Sequence, residues 1–307
     1  MFKLDTLDAN ILKELDLNSR QSEGKIAEKL HVNKQLVNSR IKRLVKRGII
    51  SKFTTSIDLP SIGYPIGLNV YLKVNKLPNE FVEKLKAIRE VVTITRLSGD
   101  FDLLLQVFVK TVNQADDILI KIRKDGKENI NQILYYMMTQ HFLKAIDENE
   151  EVYFNLKDQN LDKKDRIILK ELIRNSRIQT KELAKKVGLS RETVAIRIRK
   201  LQLKKVIKRF NIHRDYHRIY RNVFVILVRD IGLDDKQKEQ LIGIVKEFQT
   251  IAVGFYINGL RISTSFDNIA HFHRLVDKIA SQFPQMREIN TNTVVGYIKR
   301  DWSSLIK

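Results

Sequence analysis

LDTLDANILKELDLNSRQSEGKIAEKLHVNKQLVNSRIKRLVKRGIISKF, residues 4–53, returns as LDKKDRIILKELIRNSRIQTKELAKKVGLSRETVAIRIRKLQLKKVIKRF at residues 161–210. The two stretches align without a gap at an offset of 157 positions and share 19 of 50 residues, among them Asp8/Asp165, Asn18/Asn175, Arg20/Arg177, Ala27/Ala184, Val37/Val194, Arg40/Arg197, Ile41/Ile198 and Leu44/Leu201. A repeat of this length is a duplicated domain rather than a solenoid unit.

Each copy reads as three helices. Asp5 and Asp162 stand as N-caps before apolar residues at helical spacing, Ile11, Leu12 and Leu15 in one copy and Ile168, Leu169 and Leu172 in the other. A second helix carries Ile26, Ala27 and Leu30, or Leu183, Ala184 and Val187. A short turn comes next (His31-Val32-Asn33 or Gly188-Leu189-Ser190), and Asn33 or Ser190 caps a third helix whose buried stripe is Val37/Ile41/Leu44 or Val194/Ile198/Leu201. Two helices joined by a short turn, the second strongly basic, make a helix-turn-helix.

The third helix of copy 1 holds Lys34, Arg40, Lys42, Arg43, Lys46 and Arg47 and no acid. At 100° per residue Gln35, Asn38, Ser39, Lys42 and Lys46 lie away from the buried stripe and are candidates to face a DNA major groove. Asn and Gln pair bidentately with adenine, and Lys reaches guanine or phosphate. Arg40 and Arg43 flank that face and suit phosphate contacts. The equivalent face of copy 2 offers Glu192, Ala195, Ile196, Arg199 and Leu203, with Arg191, Arg197, Lys200 and Lys204 around it. Exposed Ile196 and Leu203 suit either thymine methyl groups or a protein surface.

The 307 residues suffice for two to four small domains, and 43% hydrophobic with 30% charged residues is an ordinary soluble composition. With no cysteine, disulfides, thiolate metal sites and cysteine nucleophiles are excluded. The longest apolar run, Val223–Val228, is far too short for a membrane span, and no secretory segment opens the chain, so a cytoplasmic protein is expected. The net charge of +20 favours polyanionic partners, and its distribution points at the repeat. Residues 1–58 carry 12 Lys and Arg against 7 Asp and Glu, and residues 161–215 carry 18 against 6.

The pattern Leu-Asp-x-x-Asp-x-x-Ile-Leu-x-x-Leu, then Asn-Ser-Arg, then Val-x-x-Arg-Ile-x-x-Leu, resembles the Lrp/AsnC (feast/famine) family of transcription regulators. The family's glycine after the third helix is Gly48 in copy 1 and Lys205 in copy 2, and its glycine in the turn is Gly188 in copy 2 and His31 in copy 1. His31 is therefore expected to carry mild left-handed strain. Beyond each block the chain reads independently as βαββαβ. In copy 1 the strands are 66–74, 91–97, 102–109 and 129–138, with helices at 79–88 and 112–124. In copy 2 the strands are 222–229, 250–257, 260–266 and 288–298, with helices at 234–247 and 267–282.

The expected fold is α+β: a winged/helix-turn-helix domain plus a ferredoxin-like domain, the pair occurring twice. The domains are 1–58, 64–142, a linker at 143–160, 161–215 and 221–301. The resemblance implies that the βαββαβ (RAM) domains assemble, as a pseudo-dimer within a chain or as a homo-oligomer, and sense a small molecule. Ser98-Gly99-Asp100-Phe101-Asp102 is similar to the family's segment beside the effector pocket. Asp100 or Asp102 would take the ammonium of an amino-acid-like effector, or else satisfy the turn backbone. Copy 2 has Asn258-Gly259-Leu260-Arg261-Ile262, without the acids. The acidic run 147–151 reads as linker, or as a competitor for the basic modules.

No His-Glu-x-x-His, phosphate loop, Gly-x-Ser-x-Gly or dinucleotide fingerprint is present, and neither a cofactor nor a metal is expected. One enzyme reading stays open. Siroheme decarboxylases look like paired Lrp/AsnC proteins, and His213, His217 and Arg218 are conceivable stand-ins for their His and Arg. The basic third helices favour a regulator of double-stranded DNA, built as a fused heterodimer able to read an asymmetric operator.

Overall fold

The computed structural model describes residues 4–142, 151–152, 159–220, 222–229, 232–248, 250–256, 259–266, 268–286 and 288–306. In chain order the elements are α1 (Thr6–Leu17), α2 (Glu23–Lys29), α3 (Lys34–Lys46), β1 (Ile50–Ile57), β2 (Ile66–Val74), α4 (Asn79–Ala87), β3 (Val91–Gly99), β4 (Leu103–Val109), α5 (Val112–Gly126), β5 (Ile130–Phe142) and β6 (Glu151–Val152). The second repeat supplies α6 (Lys163–Arg174), α7 (Thr180–Val187), α8 (Arg191–Leu203), β7 (Ile207–Arg214), α9 (Tyr216–Ile219), β8 (Asn222–Arg229), α10 (Asp235–Lys246), β9 (Thr250–Tyr256), β10 (Gly259–Phe266), α11 (Ile269–Gln282) and β11 (Glu288–Arg300). Among the described residues no helix is long and apolar enough to cross a membrane. The chain divides into two compact units, each drawing on both repeats: residues 1–63, 155–219 and 303–307 form one, and residues 64–154 and 220–302 the other.

The first unit joins the two helix-turn-helix blocks. Asp5 caps α1 by accepting the Asp8 N–H at 2.8 Å, and Asp162 caps α6 by accepting the Asp165 N–H at 2.7 Å. The stripes Val37/Ile41/Leu44 and Val194/Ile198/Leu201 are buried, as their spacing predicts. Four turn positions are left-handed: His31 (φ 54°) and Gly188 (φ 67°) between the second and third helices, Gly48 (φ 70°) and Lys205 (φ 57°) after the third. Each copy thus keeps glycine at one of the two positions and holds a strained side chain at the other.

What the helical pattern does not announce is how the copies meet. β1 and β7 form an antiparallel ladder in which Thr54 faces Asn211, and these two residues are equivalents under the 157-residue offset. A second pair of equivalents, Ser19 and Ser176, meets hydroxyl to hydroxyl at 2.6 Å in a fully buried position. Two self-equivalent contacts define a two-fold axis through the unit. Around it the bonds are reciprocal. Ser19 N–H donates to the Phe210 carbonyl at 2.9 Å and Ser176 N–H to the Phe53 carbonyl at 3.2 Å. Arg20 donates to the Ser176 carbonyl at 2.5 Å and Arg177 to the Ser19 carbonyl at 2.7 Å. Their guanidinium groups lie 5.4 Å and 4.4 Å from the ring centroids of Phe210 and Phe53.

The symmetry is broken at one buried pair. Arg214 on β7 is 4% exposed and donates to the Asp16 carboxylate and, at 3.0 Å, to the Leu12 carbonyl of α1. The equivalent positions on the other side of the axis are Ile57 and Ile173. Burial pushes the Asp16 carboxyl up and the Arg214 charge opposes it, so this carboxylate depends on its partner.

In the second unit each repeat folds as βαββαβ with strands ordered β5-β2-β4-β3 and β11-β8-β10-β9. The second strand of each repeat pairs with the last strand of the other, β3 with β11 and β9 with β5, and all pairings are antiparallel. Eight strands therefore close on themselves through β2–β5, and β6 adds to the end of β5. On the outer face of the sheets, Leu68, Val70 and Leu72 pack with Phe81, Leu85, Ile118 and Ile122 of α4 and α5; Ile226, Val228 and Ile262 pack with Leu241, Leu275 and Ile279 of α10 and α11. This pairing is the pseudo-dimer within one chain. The strands depart slightly from expectation: β3 runs on to Gly99, β4 starts at Leu103 and leaves Asp102 in the turn, and β5 continues to Phe142. Of the expected linker at 143–160, residues 151–152 pair with β5, while 143–150 and 153–158 lie outside the described residues; so does the acidic run 147–151, but for Glu151.

Arg214→Ala strands a buried carboxylate and should lower the unfolding free energy by about 3–5 kcal/mol in a denaturant titration. The double variant Asp16→Ile/Arg214→Ile, which copies the apolar pair of the opposite side, should recover most of that loss. Lys205→Gly, relieving a left-handed side chain, should raise stability by roughly 1 kcal/mol.

Candidate nucleic-acid interface and effector segment

α3 presents the face its periodicity predicts. Gln35, Asn38, Ser39, Lys42 and Lys46 are all exposed, as is Lys34 at the first turn. Asn33 is exposed too, but its Oδ1 accepts the Leu36 N–H at 2.7 Å, and the Ser39 hydroxyl donates to the Leu36 carbonyl at 2.8 Å. Both thus spend one polar atom on the helix itself, leaving Gln35, Asn38, Lys42 and Lys46 as the outward chemistry. No acid stands on this helix, and its exposed lysines keep a positive field on the outward face.

α8 presents a different surface. Arg191, Glu192, Ala195, Ile196, Arg199 and Lys200 are exposed, Ile196 at 67% and Leu203 at 76%. Ser190 caps the helix through the Thr193 N–H at 3.1 Å.

Three arginines turn away from the DNA-facing part that helical periodicity assigns them. Arg40 suits a phosphate by its position on the wheel, yet its guanidinium reaches Asp5 and, at 3.2 Å, Asp8. Arg43 takes the other Asp8 oxygen at 2.6 Å, with the Asp8 side chain fully buried. In copy 2 Arg197 reaches Asp162 at 2.7 Å and Asp165 at 2.8 Å. The bond from Arg40 holds the Asp5 carboxyl below the usual carboxylate range; at Asp162 the Asp165 amide does so first and Arg197 adds to it. Asp8 is buried at the start of α1 and its carboxylate needs a cation, and in each copy the third helix crosses close enough to supply one to the first. These residues lock the third helix to the first.

The segment Ser98-Gly99-Asp100-Phe101-Asp102 ends β3 and makes the turn to β4, with Ser98 and Asp100 exposed and Phe101 buried. Asp100 accepts the Thr291 N–H of β11 at 3.0 Å, and Phe101 N–H donates to Asn292 Oδ1 at 2.8 Å. Asp102 accepts the Val74 N–H at 2.8 Å and stands 3.6 Å from the Lys73 ammonium. Gly99 has φ +139°, and a Cβ there would meet the Thr291 carbonyl oxygen at 2.5 Å. The two acids thus serve main-chain amides, the second of the roles the sequence left open, and the turn ties one repeat to the other's last strand.

His213, His217 and Arg218 lie on β7 and α9, in the unit built by the helix-turn-helix blocks and not in the one built by the βαββαβ domains. His213 is extended and His217 is helical. Burial pulls the His217 pKa down. As stand-ins for a catalytic pair in the sensing domains they are misplaced.

A polar group inside the closed sheet has no counterpart in the motifs of the sequence. Asn69 Nδ2 donates to the buried Tyr256 hydroxyl at 2.5 Å, and Tyr136 stacks on Tyr256 with centroids 5.0 Å apart. Buried Tyr71 lies 5.3 Å from Phe101, and Arg261, 6% exposed, comes from the segment of copy 2 that lacks the acids of its counterpart. Burial raises the Tyr71 and Tyr256 pKa values, and the Arg261 charge works against it at both. Alternation along β2 and β10 is the only available signal, since it turns Asn69, Tyr71 and Arg261 away from the helix-covered face.

Comparison with known proteins fits this geometry. A winged helix-turn-helix DNA-binding model matches residues 4–51, an AsnC-type helix-turn-helix domain matches 161–202, and an Lrp/AsnC ligand binding domain matches 68–133. The HTH-type transcriptional regulator Ptr1 of Methanocaldococcus jannaschii is 31% identical over 118 residues, spanning 38% of this chain and 79% of Ptr1. LrpB of Bacillus subtilis is 30% identical over 125 residues, spanning 40% of this chain and 84% of LrpB. The crystal structure of the siroheme decarboxylase NirDL superposes with a TM-score of 0.66 over 96% of this chain and 93% of that one, at 14% identity, a likeness of fold. The chain belongs to the Lrp/AsnC family, with two of its helix-turn-helix and βαββαβ units carried in one polypeptide.

Proposed function

We propose that this chain is a sequence-specific DNA-binding transcription regulator in which α3 and α8 enter major grooves about one helical turn, or a multiple of it, apart. The observation that carries the reading is the exposed, acid-free face of α3, held on a two-fold frame that presents a second such helix. Gln35 and Asn38 supply amide pairs for adenine edges, while Lys42 and Lys46 serve guanine or phosphate. A regulator of this kind works where the DNA is, in the cytoplasm. The match of residues 68–133 to a ligand binding domain supports a small-molecule effector. An amino-acid ammonium at Asp100 or Asp102 would first have to displace main-chain amides. A tetrapyrrole enzyme on this fold is the weaker reading, because the imidazoles named for it sit in the other unit and the basic third helices would have no use.

Mobility-shift titrations over a range of salt concentrations test the proposal. Affinity should fall steeply with salt. Lys42→Ala should weaken binding on all sequences and lower the salt slope by about one, whereas Gln35→Ala and Asn38→Ala should each relax preference at single base pairs by about 1–3 kcal/mol. Arg43→Ala is unsuitable for this purpose, since it removes one of the two arginine partners of buried Asp8. The groove assignment fails if Gln35→Ala and Asn38→Ala leave the preferred sequence unchanged.

A further inference from the structure

The outward faces of the two third helices differ in kind. Where α3 carries Asn38, Ser39 and Lys46, the equivalent positions of α8 carry Ala195, Ile196 and Leu203. Ile196 and Leu203 are 67% and 76% exposed, the two most exposed large apolar side chains among the described residues. They are ringed by exposed Arg191, Arg199, Lys200 and Lys204. The lone acid, Glu192, stands in the first turn beside the Ser190 cap, where its own backbone N–H and the Ser190 hydroxyl hold its carboxyl below the usual carboxylate range. An apolar centre inside a cationic rim fits a surface with negative edges and apolar groups between them. The major groove of a thymine-bearing duplex is such a surface: phosphates line its walls, and each thymine projects a C5-methyl group into it.

We propose that α8 reads thymine by its methyl group, through Ile196 with Ala195 beside it. The two half-sites are then told apart by chemistry, with amide hydrogen bonds under α3 and methyl packing under α8. Leu203 lies seven residues on, about 10 Å along the helix, as a second exposed apolar side chain with Arg199 and Lys200 between it and Ile196. This inference rests on the DNA-binding reading above.

Duplexes enriched from a random-sequence library by the full chain provide the probe. The chain has no cysteine, so Lys204→Cys carrying a tethered iron–EDTA cleavage reagent marks which half-site lies under α8. Thymine is then replaced by deoxyuracil, which differs only in lacking the C5-methyl group, in one half-site at a time. Removing a packed methyl should weaken binding about fourfold, the equivalent of ~0.8 kcal/mol, in the α8 half-site. The same replacement in the α3 half-site should change affinity less than twofold. In Ile196→Ala the thymine-to-uracil ratio should fall to near one. A wild-type protein indifferent to uracil under α8, or an Ile196→Ala variant that keeps the full ratio, overturns the inference and points to a protein partner for this face. If no duplex is enriched at all, the DNA-binding reading itself falls, a result that uracil insensitivity cannot mimic.

Discussion

Two serine hydroxyls 2.6 Å apart, Ser19 and Ser176, mark the place where one chain meets its own copy, and the presentation of both reading helices depends on the frame around them. The contact is buried, so neither hydroxyl can turn to water, and each needs the other. On either side Arg20 and Arg177 cross to the opposite copy's main chain and lie over Phe210 and Phe53. The β1–β7 ladder closes the arrangement at Thr54 and Asn211. A third helix is then fixed to this frame through its own first helix, by Arg40 and Arg43 on Asp5 and Asp8 in one copy and by Arg197 on Asp162 and Asp165 in the other. Charges that an isolated helix would offer to DNA are in part what hold the helices in position.

Duplication has since been put to use. Asp16–Arg214 on one side of the axis faces Ile57 and Ile173 at the equivalent places on the other. Pairing copy 1 with copy 1 would bury Asp16 opposite an isoleucine, and pairing copy 2 with copy 2 would do the same to Arg214. Either leaves an uncompensated buried charge, so the interface favours the unlike pair. The closed sheet carries the same mark, with Asn69 and Tyr71 entering from one repeat and Tyr256 and Arg261 from the other. The outward faces complete it, polar on α3 and apolar within a cationic rim on α8.

Much of this is legible from residues alone. The stripes Val37/Ile41/Leu44 and Val194/Ile198/Leu201, the aspartate and Asn/Ser caps, and the strained left-handed His31 are local features, and local periodicity or backbone preference suffices to read them. The βαββαβ order is legible for the same reason. What escapes is non-local. Nothing in Ile50–Ile57 says that its partner strand begins 150 residues later, and the Asn-Ser-Arg motif reads as a family signature until its serine is found on an axis. The ion pairs of Arg40, Arg43 and Arg197 escape because a helical wheel gives direction around one helix and not which acid a neighbouring helix brings near. Asp100 and Asp102 cannot be settled from the turn alone, since the Thr291 amide that occupies Asp100 comes from the far repeat.

The central claim is that one polypeptide offers a single duplex two unlike reading helices on a fixed two-fold frame. Determining the consensus from a random duplex library tests it most directly, for the wild type and for a variant in which α8 takes the α3 face (Glu192→Gln, Ala195→Asn, Ile196→Ser, Leu203→Lys). Two unlike half-sites are expected for the wild type and a palindrome for the transplanted face. A palindromic wild-type consensus, or a transplant that leaves the consensus unchanged, would contradict the claim.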